Sequence, residues 1–147
     1  MSYEFVIGGK PITKARPRFS RVGKFVKTFD CQKKESREII WKIKQQMPEE
    51  LVLEPLDCPL SIEMRFYTPI PASWSKKKQG KFNGTPDTRH HDVDNFLKKY
   101  LDDMNGLVYR DDCLVVKLYG EKTYSANPRT VISVSKIEVI CEDENNG

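Results

Sequence analysis

The segment that decides the fold is residues 92–112, which read DVDNFLKKYLDDMNGLVYRDD. Its apolar side chains recur at i, i+3, i+4, i+7, i+8 and i+11, the spacing of an amphipathic helix. Those side chains are Val93, Phe96, Leu97, Tyr100, Leu101 and Met104. Asn105-Gly106 is a typical helix stop. We therefore predict a helix that lays one apolar face on the core.

The flanking sequence predicts four strands and a second helix. Residues 60–66 alternate apolar and polar side chains and predict a half-buried strand. A first strand is predicted at 3–7, a third from 114 and a fourth at 131–140, where slipped alternation near Ser135 and Lys136 indicates a β-bulge. Asp30 is a plausible N-cap for a helix that Pro48 ends. The order β-α-β-α-β-β predicts an α+β fold with two main helices packed on one small mixed sheet.

Length and composition predict one domain inside the cell. The 147 residues suit a single domain, which we place at residues 1–141, with an acidic, frayed tail at 142–147. No apolar run approaches the ~20 residues of a membrane span, and the N-terminus lacks a secretion signal, so we expect a soluble cytoplasmic protein. The four cysteines form no Cys-x-x-Cys pair, which argues against zinc and disulfides.

Charge is distributed in two basic stretches and one acidic stretch. Residues 10–29, the basic arm, carry seven cationic and no acidic side chains, and residues 74–89, the basic lobe, surround Trp74 and Phe82 with cations and hold one acid, Asp87. We predict a ribbon or loop for the arm and a loop of about twenty residues for the lobe. Residues 92–112 hold six aspartates. Carboxylates beside a cationic surface would repel a polyanion unless Mg²⁺ bridged them to phosphate, so the pattern favours a metal-dependent enzyme acting on nucleic acid.

The aspartates fall into two groups that must converge to form one metal site. Asp92 and Asp94 lead into the predicted helix, whereas Asp111 and Asp112 precede the next strand. The helix is ~18 Å long, so convergence depends on how that strand enters the sheet. Two other interpretations stay open: Asp94 as an N-cap, and Lys98 as its ordinary i,i+4 ion-pair partner.

Two blocks of sequence resemble the RusA family of crossover junction endodeoxyribonucleases. The first is Gly9-Lys10-Pro11 with Lys14-Ala15-Arg16-Pro17-Arg18-Phe19. The second begins at Asp92-Val93-Asp94-Asn95-Phe96-Leu97-Lys98 and continues through Leu101-Asp102, Asn105-Gly106 and Val108-Tyr109-Arg110-Asp111-Asp112. The resemblance covers most of the chain.

The resemblance implies an activity and a set of site residues. Asp92, Asp94 and Asp112 would bind Mg²⁺, for which we expect Mn²⁺ to substitute, Lys98 would assist at the phosphate and Asp111 would help. The family's homodimer would make matched nicks in a four-way junction, that is, a Holliday junction in recombination and repair. Lys14, Arg16 and Arg18 would hold the DNA backbone. The predicted DNA-binding set also includes Lys10, Arg21, Lys76, Lys77 and Arg89.

One departure and two rival functions remain. Many relatives carry Lys-Pro before the first aspartate, whereas Arg89, His90 and His91 stand here. The two histidines could contact phosphate, position water, bind metal or simply lie on the surface. The rival functions are a metal nuclease for other branched DNA and a DNA-binding protein without catalysis.

Overall fold

The computed structural model describes residues 2–15, 18–23, 25–29 and 32–138, with the backbone alone for 18–22 and 25–29. In chain order the elements are β1 (Ser2–Gly8), β2 (Arg18–Val22), β3 (Phe25–Phe29), α1 (Lys33–Gln46), α2 (Glu49–Leu53), β4 (Leu60–Pro69), α3 (Lys76–Phe82), α4 (Val93–Met104), a 3₁₀ turn (Asp112–Leu114), β5 (Val115–Ser125) and β6 (Arg129–Lys136).

The main sheet has the strand order β1-β6-β4-β5. β4 is parallel to β5, and the other two pairs are antiparallel. The sheet is therefore mixed, and β1 and β5 are its edges. This confirms the predicted α+β fold, a single small domain in which two main helices pack on one sheet.

The core lies between α1, α4 and one face of the sheet. Alternate residues of β4 are fully buried there, namely Leu60, Ile62, Met64 and Phe66. Phe66 stacks on Phe96 of α4 with ring centroids 4.9 Å apart. The apolar period of the sequence therefore identified the buried faces of both elements.

Three details differ from the sequence predictions. The predicted twenty-residue loop contains α3, whose N-cap Ser75 accepts a hydrogen bond from the Lys78 N–H. β6 pairs in unbroken register to Lys136, so the bulge predicted there is wrong and the alternation slips because the strand ends. A register shift lies instead in β5, where Leu60 pairs with Val115 and Ser61 with Lys117.

Some predictions fall on residues outside the description. The N-cap position of α1 is held by Gln32, while Asp30, the predicted N-cap, is not among the described residues. Nor is the predicted tail at 142–147. In the described part of the chain, no helix is both long and apolar enough to span a membrane.

β5 runs antiparallel to α4, which packs against it. A Cβ atom built on Gly120 would meet the Leu97 side chain at 2.9 Å, so the middle of β5 lies directly under the helix. Further along β5, Lys122 Nζ donates hydrogen bonds to the carbonyl oxygens of His90 and His91, which precede α4. The beginning of β5 therefore lies near the C-terminal end of α4.

Candidate active site

Asp92 and Asp94 lie at the N-terminus of α4 and are exposed. Asp92 is the N-cap residue, but its side chain makes no capping hydrogen bond, and its carbonyl oxygen accepts from the N–H groups of Asn95 and Phe96. Asp94 lies in the first turn, so the interpretation of Asp94 as the N-cap is wrong. Both carboxylates stand at the positive end of the helix dipole, where negative charge is stabilised.

Asp111 and Asp112 form a second carboxylate pair, also exposed. The Cys113 N–H donates a 3.2 Å hydrogen bond to Asp111, which lowers the pKa of Asp111. The pKa of Asp112 is raised, chiefly by its hydrogen bond to Asp111, then by loss of hydration and by the negative charges of Asp111 and Asp102. Mutual repulsion of this kind is relieved by a bound cation.

The structure does not bring the two groups together within one chain. Asp112 lies within electrostatic range of Asp102, which is eight residues after Asp94 on α4 and so ~12 Å further along the helix axis. Among the described residues, no group of three or more His, Cys, Asp and Glu side chains is arranged to hold a metal ion. The carboxylates of one chain thus divide between the two ends of α4.

One lysine of the predicted site lies on α4, and a second contacts this helix from the basic arm. Lys98 is exposed and lies one turn after Asp94. The described side chains of Asp94 and Lys98 do not form the i,i+4 ion pair that was the alternative interpretation. Lys14 lies with Nζ 3.0 Å from Asp102 Oδ2. Lys14, assigned from sequence to DNA binding, therefore also contacts the acidic surface.

The start of the basic arm is fixed on the helices by backbone hydrogen bonds. The Ile12 N–H donates to the Tyr100 hydroxyl at 3.0 Å, and the Lys14 N–H donates to the Asn95 carbonyl at 3.0 Å. Gln32 accepts from the Ala15 N–H through Oε1 and donates to the Thr13 carbonyl through Nε2. Because amides of this segment are held by α4 and by Gln32, its side chains have a defined position beside α4.

The structure describes some of the other predicted DNA-binding residues of the arm in full and some by their backbone alone. Lys10 is exposed. Arg18 and Arg21 lie in β2, which pairs with β3 as the predicted ribbon, but only the backbone is described there. Arg16 lies outside the described residues.

The basic lobe is built around a small aromatic cluster. The rings of Trp74 and Phe82 are 5.1 Å apart, and Tyr124 packs against both. Lys78 Nζ lies 4.2 Å from the centre of the Trp74 ring, and the Arg89 guanidinium lies 4.9 Å from it. Cation–π contacts therefore hold part of the positive charge against the aromatic rings. Lys76 and Lys77 are exposed in the first turn of α3.

Asp87, the single acid of the lobe, organises the loop before α4, a role that the sequence analysis missed. It is buried and accepts hydrogen bonds from the Thr68 hydroxyl and the N–H groups of Arg89 and His90. Its Oδ2 also contacts Nδ1 of His90. Burial opposes ionisation of Asp87, but these hydrogen bonds outweigh it and lower its pKa to about 2. The half-buried His90 is thereby fixed in orientation, whereas His91 is exposed and lies edge-on to Phe96.

Asp103 is structural, although it belongs to the acidic stretch. It is buried with Lys99 at an Nζ to Oδ2 distance of 3.2 Å. The Ser36 hydroxyl donates to Asp103 at 2.8 Å and accepts from Lys99 at 2.6 Å. Because a buried charge is tolerated only with such partners, this trio belongs to the contact between α1 and α4.

Comparison with known proteins gives a family for the chain. The family model described as "Endodeoxyribonuclease RusA" matches residues 8–135. The chain is similar to "Uncharacterized protein YqaN" of Bacillus subtilis (strain 168), with 31% identity over 140 residues that cover 91% of this chain and 96% of the relative. The residues matched by the family model include the basic arm and the two carboxylate groups. The chain belongs to the RusA family of endodeoxyribonucleases.

Proposed function

We propose that the protein is a Mg²⁺-dependent endonuclease that resolves four-way DNA junctions by paired, symmetric nicks. The observation that carries the proposal is the set of exposed carboxylates at both ends of α4, set among cations that include Lys14 on Asp102. A DNA backbone can approach such a surface only if a cation neutralises the carboxylates. Membership of the RusA family adds the class of reaction, cleavage of DNA.

The carboxylate oxygens of the predicted ligands suit a hard divalent cation, but within one chain these carboxylates lie toward opposite ends of α4. The exposed oxygens of Asp92 and Asp94 are the ligands that Mg²⁺ or Mn²⁺ prefers. Asp112, the third predicted ligand, lies toward the opposite end of the helix. A second protomer is therefore the simplest source of the missing carboxylate, which supports the expected homodimer.

The edge strand β5 offers a surface for such a dimer. Residues 85–87 cover the C-terminal part of its edge through hydrogen bonds at Lys122 and Tyr124. The part nearer Asp112 exposes three large apolar side chains, Val116, Leu118 and Tyr119. An exposed apolar edge strand is a ready template for pairing with another chain. Antiparallel pairing of two β5 edges about a two-fold axis would bring Asp112 of one protomer toward Asp92 and Asp94 of the other.

Each proposed residue has a distinct part in the reaction. When bound, Mg²⁺ would activate a water molecule and polarise the scissile phosphate. Asp92 and Asp94 would hold the ion with Asp112 of the partner subunit, and Asp111 would stabilise the orientation of that loop. Lys98, on the surface of α4, would offset negative charge that develops on the phosphate. The arm and the lobe would bind the DNA backbone on either side.

A synthetic four-way junction incubated with Mg²⁺ or with EDTA tests the proposal. We expect nicks at symmetric positions with Mg²⁺ and binding alone with EDTA, while an unbranched duplex of the same sequence stays uncut. Cleavage of a flap or fork in preference to the junction would support the neighbouring activity, a nuclease for other branched DNA.

A DNA-binding protein without catalysis is the second candidate. The division of the carboxylates within one chain favours it, because a metal site that never assembles cannot cleave. It predicts that the junction is bound but stays intact at every Mg²⁺ and Mn²⁺ concentration.

A further inference from the structure

We propose that the cleft between the basic arm and His90-His91 receives an unstacked base of the branched DNA and discriminates between bases at that position. This inference rests on the proposed function. In this proposal the carboxylates serve the cleavage reaction, and the cleft determines which base is preferred beside the cut.

The cleft lies beside the predicted metal ligands. Its volume is about 360 Å³, within the range of small-molecule sites. Lys10 and Pro11 of the arm form part of one wall, and His91, which directly precedes Asp92, lies in another. A nucleotide that enters this cleft would therefore adjoin the phosphate presented to Asp92 and Asp94.

The walls suit a base in shape and polarity. Ile12 and Phe96 give apolar surface, and the cleft is more apolar than polar overall. Two residues of the walls are held in place. The Ile12 N–H donates a hydrogen bond to the Tyr100 hydroxyl, and Nδ1 of His90 contacts Oδ2 of Asp87. A pre-formed apolar slot with a few polar groups is the usual way in which proteins hold an extruded base.

Glu35 supplies a selective polar group. It belongs to the first turn of α1 and lines the cleft, and its carboxylate makes no hydrogen bond or ion pair with the other residues that the structure describes. A carboxylate accepts hydrogen bonds and donates none, so it favours the exocyclic amino groups of cytosine, adenine and guanine over thymine, whose one ring N–H lies between two carbonyl oxygens that repel the carboxylate. It also disfavours a bare phosphate as the occupant, because like charges would repel. Lys10 at the mouth can bind the phosphate of the same nucleotide instead.

Branched DNA supplies an occupant at low cost. Bases at a branch point are more easily unstacked than bases within a duplex, and extrusion costs least where pairing is already weakened. The cleft therefore selects both a branched structure and a base near the cut.

The test uses four-way junctions that differ only in the nucleotides flanking the cut, cleaved by wild type, Glu35→Gln, Thr13→Phe and Glu38→Gln. Glutamine keeps the size of the side chain but adds a donor, and phenylalanine narrows the cleft. Glu38→Gln is the matched control, since Glu38 lies on the same helix and pairs with Lys42 at 3.3 Å. Thermal unfolding of each variant checks the fold.

We expect wild type and Glu38→Gln to cut junctions with an amino-bearing base at one flanking position roughly 5- to 100-fold faster than junctions with thymine there. Glu35→Gln should bring that ratio close to one, and Thr13→Phe should both slow cutting and bring the ratio close to one, because the base can no longer enter the cleft. If wild type cuts without base preference, or if Glu35→Gln and Thr13→Phe both keep the wild-type ratio, the cleft has no such role and the nuclease assignment stands.

A binding measurement in EDTA separates failure of the cleft from failure of the proposed function. Replacing the flanking nucleotide with an abasic analogue should weaken junction binding by wild type but not by Thr13→Phe. If no junction is ever cut, this difference still supports the cleft. Equal affinities for the two DNAs with wild type would overturn it.

Discussion

Lys14 Nζ lies 3.0 Å from Asp102 Oδ2 and so joins the basic arm to the acidic face of α4. The Lys14 and Asp102 side chains are 32% and 41% exposed, and the Lys14 amide is also bound to the Asn95 carbonyl. The start of the arm therefore lies next to the carboxylate of Asp102, and in the proposed function a DNA backbone that follows this segment would be led toward α4. A substitution of Lys14 can therefore show whether this residue contributes to the stability of the fold or to the binding of DNA.

Lys14→Gln is expected to weaken junction binding while changing the free energy of unfolding by less than ~1 kcal/mol, because solvent screens an exposed ion pair. The backbone hydrogen bond at residue 14 survives the change. Urea unfolding and a binding titration in EDTA measure the two quantities. Lys42→Gln is the control, since Lys42 also pairs with a carboxylate on an exposed surface and lies outside the proposed DNA path. A loss of stability equal to the loss of binding would make Lys14 a structural residue.

The exposed lysines of α3 are expected to govern the salt dependence of binding. Removing one lysine–phosphate interaction should reduce the slope of log K against log salt by ~0.9 on duplex arms. Lys76→Ala and Lys77→Ala should therefore flatten the slope on all sequences alike, whereas Lys136→Ala, at the end of β6, should leave it unchanged. Titrations between low and moderate salt give the slopes. Wild-type slopes in both α3 variants would remove this helix from the interface.

The lowered pKa of Asp87 predicts that the fold loses stability in acid. Its folded pKa of about 2 lies below its ordinary value of 3.8, so its ionised form stabilises the folded state. This contribution, about 2 kcal/mol, is complete above the ordinary value and disappears as the pH falls through the folded value. Urea unfolding at intervals between pH 6 and pH 2 measures it.

Asp87→Asn is the variant that isolates this effect. It should be less stable than wild type at neutral pH, and the difference should shrink as the pH falls below about 4. Asp57→Asn is the matched control, because Asp57 is an exposed carboxylate paired with Arg110. A difference between Asp87→Asn and wild type that stays constant down to pH 2 would contradict the proposed role of the ionised carboxylate.

The sequence predicts α4 well because its apolar period reports directly which face is buried. α3 lacks that signal, since none of its residues is buried, and its position depends on the Ser75 cap and on contacts between Trp74 and Phe82. The shift at Val116 is also hard to see in the sequence, because this edge strand carries apolar residues on both faces, so there is no clear alternation for an extra residue to interrupt.

The candidate site also depends on contacts that local sequence patterns do not reveal. Spacing placed Asp92 and Asp94 at a helix start and Asp112 before a strand, and all three are there. Whether they meet depends on the direction of β5 relative to α4, which follows from parallel pairing of β5 with β4. Such pairing is a long-range contact that local sequence does not encode. The partners of Asp87 and Asp103 were missed for the same reason.

Mixing two inactive variants tests whether the metal site is shared between protomers. Asp94→Asn and Asp112→Asn alone should each bind the junction and cut it more slowly by on the order of 10²-fold or more, because a charge-stabilising group is lost. In a mixed dimer with shared sites, one site carries both substitutions and the other carries neither. Equal mixing should thus restore about a quarter of the wild-type sites, all in dimers that nick one strand and leave the junction unresolved.

Two controls complete this experiment. Leu118→Glu places a charge in the proposed contact on β5, so it should yield monomers in sedimentation and lose cleavage while it keeps its fold. Mixing Asp94→Asn with a variant that carries both Asp94→Asn and Asp112→Asn should restore nothing, because no shared site can then be intact. If Asp94→Asn and Asp112→Asn form mixed dimers that are as inactive as their parents, the two carboxylate groups do not meet across the interface. The metal site would then have to assemble within one chain, through a movement of the Asp111-Asp112 loop along α4.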